Sequence, residues 1–379
     1  MPKFDLIYII GSLRVGGCEK HIVSVANYLA SNADLNVGIF VICDSGELQS
    51  KLHASITTFL PCISYPVNSS KLRKIGFHFL RFINLASICF KARPKVIHSY
   101  LPLSYIYGAI AYLLLRPILP FSKLLMSRRS LNHYQSSGSI FKYESILHSI
   151  PHLALANSAA IAKDLRSEGF DSNKIRLIYN GVKAYDSEKV TLCSSRPNNI
   201  VCVANLIPYK GHIELIRAFS SAFSRLESND LKLLLVGRPS DSAYYDFLRS
   251  LTSELLLEKQ ISFITDCSEP SSYLLSSRIG ILPSRQEGFS NSLLEYMAAK
   301  LAIITSSVGG NTEAIIHMKS GLIFPPQDHS MLAENILLLQ RNLRLADQLS
   351  HQAYLNSLEK FSADSMFEAY TSLYRFLLL

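Results

Sequence analysis

The 379-residue sequence predicts an α/β protein made of two doubly wound parallel-sheet domains. Three observations carry this expectation. The length exceeds one ordinary domain of about 100 to 200 residues. Short β-rich runs alternate with longer helical stretches, the rhythm of βα units around a parallel sheet. The rhythm then stops in a polar segment and begins again.

In order, the first set of strand-like runs is Asp5 to Ile10, Asn36 to Cys43, Val96 to Tyr100, Lys123 to Arg128, Leu153 to Asn157 and Ile175 to Tyr179. The segment Lys183 to Asn199 has no usable periodicity and reads as an interdomain linker. The second set is Ile200 to Ala204, Lys232 to Val236, Ile261 to Ile264, Ile279 to Leu282 and Ala302 to Thr305. After Pro325-Pro326 the chain reads as helices, which are expected to cross back. The expected division is 1–184, 185–355 and a C-terminal helix over 356–379 that packs on the first domain.

Composition narrows the class. Hydrophobic residues make up 48% and charged residues 18%, enough for an extensive core and incompatible with wholesale disorder. The formal net charge of +9 favours an anionic partner: phosphate, nucleic acid or an acidic lipid surface. Seven scattered cysteines without a CxxC pair suggest neither a disulfide framework nor a zinc site, and fit a reducing cytoplasm. The early apolar run Phe4 to Ile10 contains Asp5 and is too short for a secretory signal. Between Leu101 and Phe121, three prolines and Arg116 interrupt what would otherwise be a membrane span, so a buried or interfacial helix is expected.

Three loops have phosphate chemistry. Gly11 to Cys18 follows the first strand and opens a helix, so its amides can face an anion. It begins like a P-loop, but Gly17 and Cys18 replace the required Lys and Ser/Thr, and GxGxxG is missing. A tight turn that uses glycine is the alternative. Asn205 to His212 follows the first strand of the second set and places Lys210 at a strand's carboxyl end, as counter-ion to a diphosphate or as a solvated lysine. Glu287 to Glu295 follows a strand and a Pro283–Gln286 turn, and its helix is expected to begin near Ser290 or Asn291. Glu287 and Glu295 then bracket a helix terminus: carboxylates accept from hydroxyls, while the amides between them donate to phosphate oxygens. Taken singly, each carboxylate also reads as an ordinary helix residue.

The segments SLRVGGCEKH, IYNGV, NLIPYKGHIELIRAF, PSRQEGFSNSLLEYMA and VGGNTEAIIHMKSGLIFPPQD together resemble, in order and spacing, the GT-B retaining glycosyltransferases of family 4, of the bacterial surface-polysaccharide or lipopolysaccharide type. The resemblance spans nearly the whole chain. It implies two Rossmann-like domains facing a cleft, with Glu287 on donor-sugar hydroxyls, Glu295 on the ribose and Lys210 on the diphosphate. It also implies Asn205, Gly288, Phe289 and Ser290 around the donor, with Gly16 and Gly17 closing the site from the other domain. His98 matches a histidine that many members carry beside the donor sugar; a core or loop histidine is the alternative. The arginine usual beside the phosphate-binding lysine is here Asn205. Either donor affinity is lower, or Arg285 or Arg238 supplies the charge.

The resemblance further implies transfer of a hexose-type sugar, with retention, from a UDP or GDP sugar to a polysaccharide or lipid-linked acceptor. No Asp-x-Asp motif occurs, so metal-free neutralisation by Lys210 and helix amides is expected, with no cofactor. Arg128, Arg129 and Asn132 resemble an acceptor-side segment; an ordinary cationic loop is the alternative. Lys71, Lys74, His78 and Arg81 form the basic edge of an amphipathic helix, giving either reversible, salt-sensitive contact with acidic lipid at the cytoplasmic membrane or simply a solvated face. An epimerase or phosphorylase on the same fold, or a silent sugar-nucleotide-binding subunit, are the alternatives. Nucleic-acid binding is not expected, since no aromatic-interleaved basic motif is present.

Overall fold

The computed structural model describes residues 3–62, 65–67, 69–131, 144–227, 230–267 and 269–379. It contains two compact units: the chain up to Tyr179 together with Met366–Leu379, and Asn180–Ser365.

The first unit is built on seven parallel strands: β1 (Leu6–Ser12), β2 (Val37–Asp44), β3 (Thr57–Phe59), β4 (Val96–Tyr100), β5 (Lys123–Arg128), β6 (Leu153–Ala156) and β7 (Ile175–Leu177). Their order is β3-β2-β1-β4-β5-β6-β7. Strand β1 shows why the apolar runs are continuous: alternate side chains enter separate cores, so both faces must be apolar. Ile7 and Ile9 pack with Leu85 and Ile88 of helix α2 (Lys71–Ala92) and with Tyr105 of helix α3 (Pro102–Leu115). Leu6, Tyr8 and Ile10 pack with Ile22 and Val25 of helix α1 (Gly17–Asn32). Helix α4 (Ala159–Ser167) follows β6, with Ser158 as its side-chain cap. Pro102 opens α3 at its first turn, where a proline is tolerated, and the helix stops at Leu115 before the remaining prolines.

The second unit has six parallel strands: β8 (Asn199–Val203), β9 (Lys232–Val236), β10 (Ile261–Ile264), β11 (Ile279–Leu282), β12 (Ala302–Ser306) and β13 (Leu322–Phe324), in the order β10-β9-β8-β11-β12-β13. Its helices are α5 (His212–Phe223), α6 (Ser242–Glu254), α7 (Ser271–Leu275), α8 (Asn291–Ala298), α9 (Asn311–Ala314), α10 (His329–Arg341) and α11 (Leu343–Lys360). The final helix, α12 (Ala363–Leu378), buries Met366, Tyr370, Tyr374 and Leu377 in the core of the first unit. The return falls at Met366 rather than at 356, because α11, whose Ala346 and Leu349 belong to the second unit's core, runs as one helix to Lys360.

The polar segment 183–199 is fastened to the second unit rather than loose. Cys193 enters its core, Asp347 accepts from the Ser194 amide, and buried Arg196 donates to the carbonyls of Thr191 and Ser277. Strands β3 and β13 were not expected; at three residues each they are too short to show a period.

Candidate functional site

Each sheet has a point where the strand order reverses, and open α/β sheets bind ligands outside the strand carboxyl ends at that point. In the second unit the reversal lies between β8 and β11. The lysine loop leaves β8 and the Glu287 loop leaves β11, so topology alone brings these distant segments together. Gly211 is the contact: its φ of +77° suits glycine, and a Cβ there would lie 2.1 Å from the Pro283 carbonyl oxygen. The Arg285 amide donates to the Tyr209 carbonyl at 2.7 Å, tying the loops a second time.

Within this frame Lys210 Nζ donates to Glu287 Oε1 at 2.6 Å, and Ser284 Oγ donates to the same oxygen at 2.6 Å. Both side chains are largely sheltered, 17% exposed for Lys210 and 10% for Glu287. Among the described residues no group is bonded to Oε2, which leaves that oxygen to accept from a ligand. Lys210 has three N–H donors and gives one to Glu287. Burial works to lower its pKa, but the Glu287 carboxylate outweighs this and holds it above the ordinary value, so the group remains an ammonium. His212 beside it is pushed down to about 4 by burial and by the Lys210 charge, and stays neutral.

Helix α8 begins at Asn291 with Ser290 as its cap, the hydroxyl accepting from the Leu293 amide at 3.4 Å. Gly288 and Phe289 lie just before it. The Gly288 carbonyl accepts from the Gly310 amide at 2.9 Å and the Phe289 carbonyl from Asn180 at 3.2 Å, so both peptides are fixed from the carbonyl side. Glu295 sits one turn into α8, half-buried. With burial acting first, its charge and that of Glu269 raise the Tyr185 hydroxyl well above the ordinary tyrosine range, so both carboxylates act on Tyr185. Beyond β10 an open cavity of about 580 Å³ is lined by Phe263, Asp266, Glu269 and Tyr273 among others. Asn205 is exposed at the end of β8. Arg285 donates to Glu214 from one guanidinium nitrogen, while its buried Nε has no hydrogen-bond partner among the described residues. Arg238 contributes its carbonyl, which accepts from the Leu206 amide at 2.9 Å.

The sequence reading missed Ser284, Tyr185 and Glu269. Ser284 lay in a segment read only as a turn. Its side chain is fully buried, and that burial is what makes it a fixed donor to Glu287.

In the first unit the reversal lies between β1 and β4. Gly16 caps α1 in an extended conformation, and exposed Gly17 is its first residue. Three expectations for this unit meet a different arrangement. His98 is fully buried, with Nδ1 2.6 Å from the Tyr374 hydroxyl and Nε2 2.9 Å from Ser127 Oγ. Both ring nitrogens are occupied, so His98 joins α12 to the sheet instead of facing a donor sugar. Arg128 is buried too, paired with Glu144 at 2.6 Å and forked onto Glu168 at 2.6 and 2.8 Å, which removes it from an acceptor surface. Arg129 is half-buried, and its charge acts on the Tyr370 hydroxyl of the C-terminal helix. Asn132 lies outside the described residues.

Burial, with the Arg129 charge, pushes His98 down to about 3. An unfolded histidine titrates near 6.5, so between about pH 6.5 and 3 the unfolded chain binds the extra proton and stability falls as pH falls. At pH 5 this amounts to about 2 kcal/mol from His98. His21, bonded to Tyr370 and also held neutral by burial, adds in the same direction. Urea unfolding at pH 7 and pH 5 should show the loss, and His98→Gln should reduce it; an unchanged pH slope in that variant would assign the proton uptake elsewhere.

Residues 15–184 match the model of Glycosyltransferase Family 4, and residues 186–356 match Glycosyl transferases group 1. A Campylobacter jejuni protein, N-acetylgalactosamine-N,N'-diacetylbacillosaminyl-diphospho-undecaprenol 4-alpha-N-acetylgalactosaminyltransferase, is 24% identical over 94% of this chain and 93% of its own length. The capsular polysaccharide biosynthesis glycosyltransferase CapM of Staphylococcus aureus is 24% identical over 75% of this chain and 77% of its own. Anabaena HepE, solved with UDP and glucose, superposes with a TM-score of 0.82 at 16% identity, covering 98% of this chain and 99% of that one. The two matched models together with the two parallel-sheet units establish that the chain belongs to the GT-B glycosyltransferase superfamily.

Proposed function

We propose that this protein transfers a hexose-type sugar from a nucleoside diphosphate sugar to a saccharide or lipid-linked saccharide, with retention at the anomeric carbon and without a metal. One observation carries the reading: Glu287, positioned through a single oxygen by Lys210 and Ser284, stands with its second oxygen available just before the amides of α8. A carboxylate so oriented accepts sugar hydroxyls, while the remaining Lys210 donors and the helix terminus balance a diphosphate. As the glycosidic bond breaks, negative charge gathers on the leaving phosphate, and a fixed ammonium stabilises that state more than the ground state. In the retaining scheme the departing phosphate oxygen takes the acceptor proton on the face where the bond breaks. Glu295 is the ribose acceptor in this reading. The UDP of the HepE complex and the undecaprenol-linked acceptor in the C. jejuni protein's name support a nucleotide donor and a lipid-linked acceptor.

A thermal-shift panel of UDP and GDP sugars tests the donor assignment, because ligand that binds only the folded state raises Tm by mass action. One nucleotide sugar should raise Tm with EDTA present, and Glu295→Ala should abolish the rise. A shift that requires added magnesium or manganese would remove the metal-free part of the scheme, and a shift unaffected by Glu295→Ala would remove its role.

A further inference from the structure

Helix α2 was expected to show a basic edge to solvent, and the structure turns it differently. Arg81 is buried, its guanidinium donating to the carbonyls of Val41, Ile42 and Phe59 and lying 4.3 Å from the Phe40 ring centre. His78 Nδ1 is 2.7 Å from the Tyr107 hydroxyl of α3. Beside exposed Asn84, Ser87 and the cations near its ends, the helix leaves six large apolar residues outside: Leu72, Ile75, Phe79, Leu80, Ile83 and Phe90, with Leu72 79% and Phe79 62% exposed. At 100° per residue, five of these six fall within one narrow stripe and Leu80 beside it, opposite Phe77, Arg81 and Leu85. Such a stripe on a soluble surface requires an occupant.

Charge identifies it. Between Glu47 and Glu144 the sequence has no Asp or Glu, but 13 Lys and Arg. Lys71, Arg73, Lys91 and Arg93 are exposed at the two ends of α2. Helix α3, which packs against α2, is followed by exposed Ile118 and Phe121, the latter 90% exposed, with Arg116 beside them. An apolar stripe between cations and without carboxylates matches the acyl boundary and headgroups of an anionic bilayer. By length and composition α2 is also apolar enough to cross a membrane. Yet Leu85, Ile88, Cys89 and Ala92 are in the core of the first unit, and Arg81 is fixed to sheet carbonyls, so the helix lies on the surface.

We infer that the exposed apolar face of α2 is a docking surface for an anionic lipid bilayer, seated by insertion of Leu72, Phe79 and Ile83 and oriented by the flanking cations. Attachment is then carried mainly by the apolar face, and salt weakens it without abolishing it.

Flotation of the full chain with phosphatidylcholine vesicles, with and without phosphatidylglycerol, is the test. The wild type should float with the anionic vesicles and remain partly bound at about 1 M salt, where the Debye length is about 3 Å. Leu72→Gln/Phe79→Gln/Ile83→Gln should weaken partitioning at least about 100-fold, since each side chain returned to water costs roughly tenfold. Its unfolding midpoint should match the wild type, because all three side chains are already exposed. Lys71→Gln/Arg73→Gln/Lys91→Gln/Arg93→Gln should lose about fivefold per cation at low salt. A wild type that fails to float, a triple variant that floats as well as the wild type, or a wild type that self-associates through this face and ignores vesicles would each overturn the proposal.

Discussion

Glu287→Gln is expected to leave the fold intact and cut sugar transfer at least about 100-fold, the scale of losing one preorganised electrostatic contact in a transition state. Glutamine keeps the shape but has only one acceptor oxygen. If that oxygen faces Lys210 and Ser284, which now donate at 2.6 Å each, the amide presents N–H to the sugar hydroxyl where Oε2 accepted one. If it faces the sugar, the amide N–H meets the Lys210 ammonium. Either orientation spoils the site. Steady-state rates with the donor found by thermal shift would show the loss in kcat as well as kcat/KM. Near-normal turnover would reduce the Lys210–Glu287 pair to a structural ion pair.

Arg128→Ala should be the most damaging change to stability in the first unit, at about 3 to 5 kcal/mol, the usual cost of removing one partner from a buried ion pair. The alanine would leave the Glu144 carboxylate, 2% exposed, without its cation. One Glu144 oxygen already has no hydrogen-bond partner. Arg128→Lys should recover only part of the loss, because an ammonium cannot reproduce the fork onto Glu168. Burial alone would raise Glu168, but His148 and Arg128 outweigh it and hold the carboxyl at about 2. Its contribution is therefore present above the ordinary carboxylate range and disappears as pH falls toward 2. Denaturant melts of both variants measure the effect. A wild-type midpoint for Arg128→Ala, with a raised acceptor KM, would restore the acceptor role that the sequence suggested.

The contrast between these two residues shows what the sequence reveals. The position of Glu287 just before a helix was legible from its neighbours, a strand before it and a cap residue three positions later, whereas its role toward a donor sugar was implied only by the resemblance. Strands such as β1, β4 and β8 were legible because burial on both faces demands continuous apolar runs. Arg81, Arg128 and His98 were misplaced for a common reason. A cation or imidazole in a sequence suggests water or ligand, and only tertiary partners distant in the chain show otherwise: Val41 and Phe59 carbonyls, Glu168, Tyr374. Ser284 was passed over because nothing in a Pro-Ser-Arg turn announces that its hydroxyl faces inward.

The placement of α12 bears on how the chain reaches its native state during synthesis. Tyr374 approaches Tyr8 at 2.8 Å and His98 at 2.6 Å, and Tyr28 stacks on Phe367 at 4.3 Å, so a segment made after the second unit completes a core begun before it. At about 5 to 20 residues per second, the 186 residues between Tyr179 and Met366 separate those events by roughly 10 to 40 s. For that interval the early half of the chain waits with Tyr8, Tyr100 and His21 uncovered while the second unit is being made. The first unit can therefore close its core only after the whole of the second unit has been made.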